Sequence, residues 1–488
     1  MSITETDYLI VGAGAVGIAF ADTLLDEDPD CHITLVDKHA KPGGHWNDAY
    51  GFVALHQPSS TYGVNSMSFP SEQIDTAGPN KGMHALASGT EVLAYFEKVM
   101  NLRLLTSGRV AYYRLSEFRG RDESGHARIR SILSGEETQI RVRRKLVDAT
   151  FYQTSVPSTH KRNFVEDDGV EVVPPGDLPL LWKRAPSLPE HYVVLGAGKT
   201  AMDTVIWLIQ NGVKADSISW VRPRESWLWN REYVQPGEDF FEAVMELQTA
   251  IITTAGEAKD SADLMRILGQ KGYYLCIDPD VEPTMFHYAI ISRGEIEVLR
   301  QVERVIRNGH VVRISRGALH FADSEVRVPE QSLFIDCTAT AVPFSVRDEA
   351  QGPIFRGDTI VLQPLQVPLV VFSAAIAAYI EAHFDDDAAC NALATPGPLT
   401  DSPATFAYAQ MINLMNRGAW RNDPGLMAFL ARSRLDLTTG TIARLIESGS
   451  PKLVALQAFG EAVEKHMPAL IELGMQAKAI HEQKQTAS

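Results

Sequence analysis

The chain has 488 residues, 45% hydrophobic and 22% charged, with a net charge of −16. That length exceeds one ordinary core and predicts two or three domains, while the acidic balance argues against nucleic acid as a partner. Four scattered cysteines (Cys31, Cys276, Cys337, Cys390) form neither a C-x-x-C pair nor a metal-ligand spacing. A disulfide framework or structural zinc is therefore not expected, and a reducing, cytoplasmic interior is the expected compartment. No charged-then-apolar leader precedes Tyr8 and no apolar run is long enough for a membrane span, so no membrane partner is expected.

The first predicted strand runs directly into a glycine turn, D-Y-L-I-V-G-A-G-A-V-G at 7–17, and an amphipathic helix follows. Gly12 permits the tight turn, Gly14 lets the backbone approach a pyrophosphate, and Gly17 lets the helix pack on the strand. The helix N–H groups then face phosphate charge. A second strand, H-I-T-L-V, ends at Asp37, 20 residues after Gly17. That is where an acid accepts hydrogen bonds from an adenosine ribose.

The pattern returns 184 residues later as H-Y-V-V-L-G-A-G-K-T-A at 191–201, with Gly196, Gly198 and Ala201 in the glycine positions and Lys199 and Thr200 between them. Its second strand ends in V-R-P-R, so Arg222 stands 21 residues after Ala201, where the first copy holds an acid. Arg222 and Arg224 suit the 2′-phosphate of NADPH; the alternative is a surface pair with Glu225. Lys199 either adds charge near the pyrophosphate or points to water. Residues 235–300 read as a helical insertion, and strand-like stretches follow at 311–315 and 324–328. The apolar run around Val367–Ile380 reads as a buried helix behind prolines, and helical patterns resume from about Gly397.

Two dinucleotide folds in one chain imply two nucleotides that meet. In this the sequence resembles the two-dinucleotide-binding-domain flavoproteins and, within them, the class B flavin monooxygenases (flavin-containing, Baeyer–Villiger and N-hydroxylating enzymes). The likeness spans about residues 7–380. It implies an α/β chain of two Rossmann-like domains: an FAD-binding domain (1–165 and 326–396) and an inserted NADPH-binding domain (186–325). A C-terminal helical extension (397–488) lies outside the likeness and either caps the substrate pocket or makes a homodimer. The resemblance also implies strand ends at 147–150 and 333–339, where such chains re-enter the FAD domain.

The same family commonly follows the ribose acid with G-G-x-W, here Gly43-Gly44-His45-Trp46, which passes the flavin. Trp46 either lies on the flavin or merely packs. Asp37, Lys38, Gly44, His45 and Trp46 are thus candidate FAD contacts, as is Gln363 in the strand-like 360–366. The helix after Val367 offers its N-terminus to the flavin's pyrimidine edge. Two subgroup motifs are missing: F-x-G-x-x-x-H before the second turn and Y-P-G-A-R-C-D after Trp46. No cysteine pair of the disulfide-reductase branch exists. The resemblance implies monooxygenation of a small-molecule substrate by dioxygen through a C4a-peroxyflavin. Candidate donors are His56, Gln57, Tyr62 and Asn65, in the loop H-Q-P-S-S-T-Y-G-V-N. The rival readings are a flavin dehydrogenase or reductase, a flavin oxidase and a non-catalytic nucleotide sensor.

Overall fold

The computed structural model describes residues 4–70, 73–184, 188–343 and 352–487. Residues 185–187 of the expected inter-domain linker and 344–351 of the expected second FAD part lie outside them.

The first unit grows around β1 (Thr4–Val11), whose central residues are almost all buried. The glycine turn leads into α1 (Ala15–Glu27), then β2 (Ile33–Val36), α2 (Gly89–Val99) and β3 (Val110–Tyr113). β1 and β2 run parallel with Tyr8 opposite Ile33 and Val11 opposite Val36, and β3 continues the order beyond β2. On the other flank β1 pairs in parallel with β6 (Glu137–Asp148), which closes an antiparallel meander with β4 (Ser116–Arg121) and β5 (Ala127–Ser131). The chain returns late to add Thr359–Val361 beside β6. The helix Val370–His383, apolar on all sides, packs against α1 in the core. It begins after Pro368, as the prolines in the sequence require.

The second unit is a five-stranded parallel sheet in the order Val305–Ile306, Ile218–Val221, His191–Leu195, Ser332–Asp336, Val172–Val173. Its glycine turn opens α3 (Lys199–Gln210). Three expectations are corrected here. Ser332–Asp336 was expected to belong to the re-entered FAD domain, yet it pairs residue by residue with His191–Leu195 in the second sheet. Val165–Glu166 pairs with Arg313–Ser315, so this unit runs from about Val165 to Asp336, not from 186 to 325. An apolar strand buried on both faces fits either sheet by pattern alone, so periodicity does not choose the partner.

The third correction concerns the insertion. The insertion at 235–300 holds α4 (Phe241–Ala255), α5 (Ser261–Gln270) and α6 (Arg293–Leu299). It also carries strands: Met285–Ile291 pairs with Ser226–Asn230. One helix runs from Leu453 to Ala487 and packs on α4. That helix, Phe406–Trp420 and the insertion share one apolar core. The extension therefore rests on the second unit.

The two glycine turns differ in how tightly they are packed. A Cβ on Gly17 would lie 2.0 Å from the Gly12 carbonyl oxygen, whereas a Cβ on Gly198 would meet no atom within 4 Å. Gly17→Ala should therefore destabilise the protein by about 1–3 kcal/mol or more through overpacking. Gly198→Ala should cost under about 1 kcal/mol, the scale of a helix-cap change. Urea unfolding of the two variants checks the contrast.

Candidate functional site

The first turn fits a dinucleotide. Gly12 adopts φ +104°, a conformation that suits glycine. No side chain caps α1 at Gly14 and its first turn holds no acid, so its N–H groups and dipole face outward for an anion. Gly43 N–H donates to the Ala13 carbonyl (2.8 Å), and a Cβ on Gly44 would approach Gly14 Cα at 3.0 Å. The expected G-G element thus lies against the glycine turn.

Asp37, at the end of β2, is buried. It accepts from Ala13 N–H (2.6 Å) with one oxygen, and from His39 N–H (2.8 Å) with the other, which also meets His39 Nδ1 at 2.7 Å. The far nitrogen of His39 meets Asp48 at 2.8 Å. The hydrogen bond to Asp37 leads in raising the His39 pKa, against its burial. Lys38 is exposed beside them. Gln363 donates to the Gly352 carbonyl (2.9 Å) and leaves its buried Oε1 without a partner, as a polar atom awaiting a ligand would be.

The second turn repeats the geometry. Gly196 has φ +122°, with the Cys337 carbonyl where a Cβ would stand (2.6 Å). Gly198 begins α3 with no side-chain cap and no acid in the first turn, which also holds Thr200 and Ala201. The arginines separate. Arg224 is exposed and makes no ion pair among the described residues. Arg222 is buried over the Trp220 ring (4.7 Å) and pairs with Glu225 (3.3 Å), while its Nε and Nη1 lack partners. Burial lowers its pKa against the pull of Glu225. The alternative pairing with Glu225 is thus observed, but inside the protein and not at its surface.

Three of the four candidate donors hydrogen-bond locally, but only Gln57 does so by donating. Gln57 donates to the Thr61 carbonyl (3.0 Å) and hydroxyl (3.2 Å). The Tyr62 hydroxyl accepts from Trp46 Nε1 (2.9 Å), and Asn65 accepts from Ser433 (2.8 Å) while its Nδ2 stays unpartnered. His45 stacks on Trp46, and burial pushes its pKa down to about 4. His56 makes no side-chain hydrogen bond among the described residues; burial, then the charges of Lys199 and Arg231, push its pKa down to about 3. His56 is a neutral imidazole at working pH.

Lys199 does not point to water. Its ammonium pairs with Asp203 and lies 3.6 Å from Glu295. Glu295 also accepts from Arg231 (2.8 Å), and Arg231, fully buried, donates to the His56 carbonyl. Asp203 accepts from the Tyr50 hydroxyl (2.8 Å). Burial alone would raise the Glu295 pKa, but Lys199 and Arg231 hold it at about 2. A cavity of about 250 Å³ opens beside this seam, lined by Phe52, Leu55, Asp75, Trp207, Lys199 and Glu295 among others.

The C-terminal extension reaches the first unit from the opposite side. Arg434 donates to the carbonyls of Tyr62 (2.8 Å) and Val64 (2.7 Å). Asn413 makes two hydrogen bonds to the main chain of Val367, just before the helix Val370–His383. Arg231, Glu295, Arg434 and Asn413 were absent from the sequence candidates. Only Glu295 carries a local signal, the S-x-x-E capping box that starts at Ser292. Asp203, four residues after Lys199 on a helix, is a pairing that spacing could have suggested.

A family model for an NAD(P)-binding Rossmann-like domain matches residues 10–73, the span of the first turn and Asp37. Among solved structures, the chain is similar to a flavin-containing monooxygenase from Stenotrophomonas maltophilia, with TM-score 0.46, 13% identity, and 78% of this chain and 98% of that chain covered. It is also similar to a cyclohexanone monooxygenase from Rhodococcus sp. Phi1 bound to NADP+, with TM-score 0.45, 13% identity, and 78% and 83% covered. Uncharacterized protein Rv2000 of Mycobacterium tuberculosis and uncharacterized protein Mb2023 of Mycobacterium bovis are each 40% identical over 433 residues, 89% of this chain and 78% of theirs. The chain belongs to the same family as these two mycobacterial proteins.

Proposed function

We propose that the protein is an FAD- and NADPH-dependent oxidoreductase and, more finely, a monooxygenase of a small organic substrate. The observation that carries the proposal is the pair of uncapped glycine turns, one followed by a buried acid and the other by arginines. FAD suits the first: the glycine backbone would hold the pyrophosphate, Asp37 the ribose, and Gly44, Trp46 and Gln363 the remainder. NADPH suits the second, through Gly196, Gly198 and the arginines. When bound, FAD supplies hydride acceptance from NADPH and the reaction with dioxygen.

The chain's own share is positioning and exclusion of water. His56, held neutral, can donate or accept one hydrogen bond but carries no charge into the site. Asn65 Nδ2 is an unused donor on the same loop. Trp46 and Tyr62, buried and bonded to each other, keep water from the loop.

The direct test loads the protein with FAD and supplies NADPH, oxygen and candidate amines, sulfides and ketones. One oxygenated product per NADPH, found by mass spectrometry, supports the finer reading. Stoichiometric peroxide without product leaves an oxidase, and turnover only with an added organic acceptor leaves a dehydrogenase. A protein that takes up no flavin overturns the proposal.

Coenzyme choice gives a second expectation. Losing one charge-assisted contact costs about 1.5–3 kcal/mol, roughly tenfold to a hundredfold in affinity. Arg224→Ala should weaken NADPH by that factor and leave NADH unchanged in equilibrium titrations. Arg222→Ala should in addition lower stability, because its guanidinium packs on Trp220. Equal losses for both coenzymes would mean that the arginines serve the fold alone.

His56 gives a third. An unfolded histidine titrates near 6.5, so below that pH the unfolded chain binds a proton the folded one refuses, and stability falls as pH drops. The penalty at pH 5 is about 2 kcal/mol, and it is absent above about pH 7. His56→Gln should remove that part of the acid sensitivity in urea unfolding at the two pH values.

A further inference from the structure

Lys199 sits in the turn where a cation would ordinarily meet a coenzyme phosphate, yet its surroundings give it another task. Its ammonium lies between Asp203, on the next turn of α3, and Glu295, at the start of α6. Glu295 is held rigidly, since one of its oxygens also accepts from Ser292 N–H (2.8 Å) in the capping box of α6. The same oxygen accepts from Arg231. Two cations and two carboxylates thus form a neutral set, with Arg231 and Glu295 buried and Lys199 and Asp203 partly exposed at the edge of the cavity.

Both ends of that set grip one short segment of the first unit. Asp203 accepts from the Tyr50 hydroxyl, and Arg231 donates to the His56 carbonyl. Between those anchors Phe52 stacks on Trp207 of α3 with ring centres 4.7 Å apart. For Lys199 to reach a phosphate, it would have to leave Asp203 and Glu295, both little exposed, with fewer counter-charges, which is an expensive exchange.

We infer that Lys199 and Arg231 are positioning residues: with Asp203 and Glu295 they form a bridge that fixes the Tyr50–His56 segment of the first unit against the glycine turn of the second. The inference rests on the two-site reading above for its functional meaning. It assigns Lys199 to the loop that carries His56 and Gln57, and removes it from the coenzyme-phosphate contacts. Gln57 inherits its position directly, being the next residue after the gripped carbonyl.

The bridge is tested on the full-length protein by hydrogen–deuterium exchange read by mass spectrometry, with no coenzyme required. Lys199→Met leaves a net negative charge in the seam. Lys199→Met/Asp203→Asn keeps the seam neutral and keeps an acceptor for Tyr50, so it serves if the single variant does not fold. In whichever variant folds, amide exchange in peptides spanning 50–62 should rise at least tenfold, while peptides of α1 and the helix Val370–His383 stay unchanged. NADP+ affinity by calorimetry should change less than threefold. Unchanged exchange at 50–62 overturns the bridge, and so does a loss of NADP+ affinity of tenfold or more, which would return Lys199 to the phosphate. A wild-type protein that binds no NADP+ would overturn the two-site reading but leave the exchange comparison standing.

Discussion

Two carboxylates and two cations share one seam between the two units, and the arrangement around it depends on their balance. Removing one partner of a buried pair costs about 3–5 kcal/mol, because the survivor is left charged without water. Asp203 and Lys199 come from α3, Glu295 from α6 and Arg231 from the turn after Ser226–Asn230, so three parts of the second unit must be in place together. The groups they hold, Tyr50 and the His56 carbonyl, belong to the first. Orientation of the two units is thus written in charge at the seam and in apolar packing elsewhere.

The seam works because the remaining constraints are rigid. On one side the turn Gly12–Gly17 is pinned by close backbone contact, with no room for a side chain at Gly17. On the other, the C-terminal extension bonds main-chain groups at Tyr62, Val64 and Val367. The loop that holds His56, Gln57 and Asn65 is therefore fixed by the second unit at one end and by the extension at the other. This gives the extension a task that composition could not choose: it buttresses the loop of the candidate site.

What the sequence made legible is what local geometry demands. A strand, a glycine turn and a helix must follow one another within a dozen residues, and both copies stand where their spacing puts them. Asp37 was legible for the same reason, as the end of the next strand. The destination of Leu333–Asp336 was not, because an apolar strand covered on both faces fits either sheet. Arg222 was legible in position but not in orientation: Trp220, two residues before it near the end of the strand Ile218–Val221, offers a ring that draws the guanidinium inward. Arg231 carries no local pattern, and its partners lie 175 and 64 residues away in sequence. Long-range charge pairing of that kind is decided by tertiary packing alone.

The central claim is that the first turn would hold FAD, the second would hold NADPH, and a hydride would pass from NADPH to the flavin. Anaerobic stopped-flow mixing of the FAD-loaded protein with NADPH or NADH tests it most directly, through the flavin's visible absorbance. The account predicts complete bleaching by NADPH in one turnover, with a rate that saturates at lower concentration for NADPH than for NADH. Flavin that stays oxidised with both coenzymes, in a protein shown to hold FAD and to bind NADP+, would contradict it.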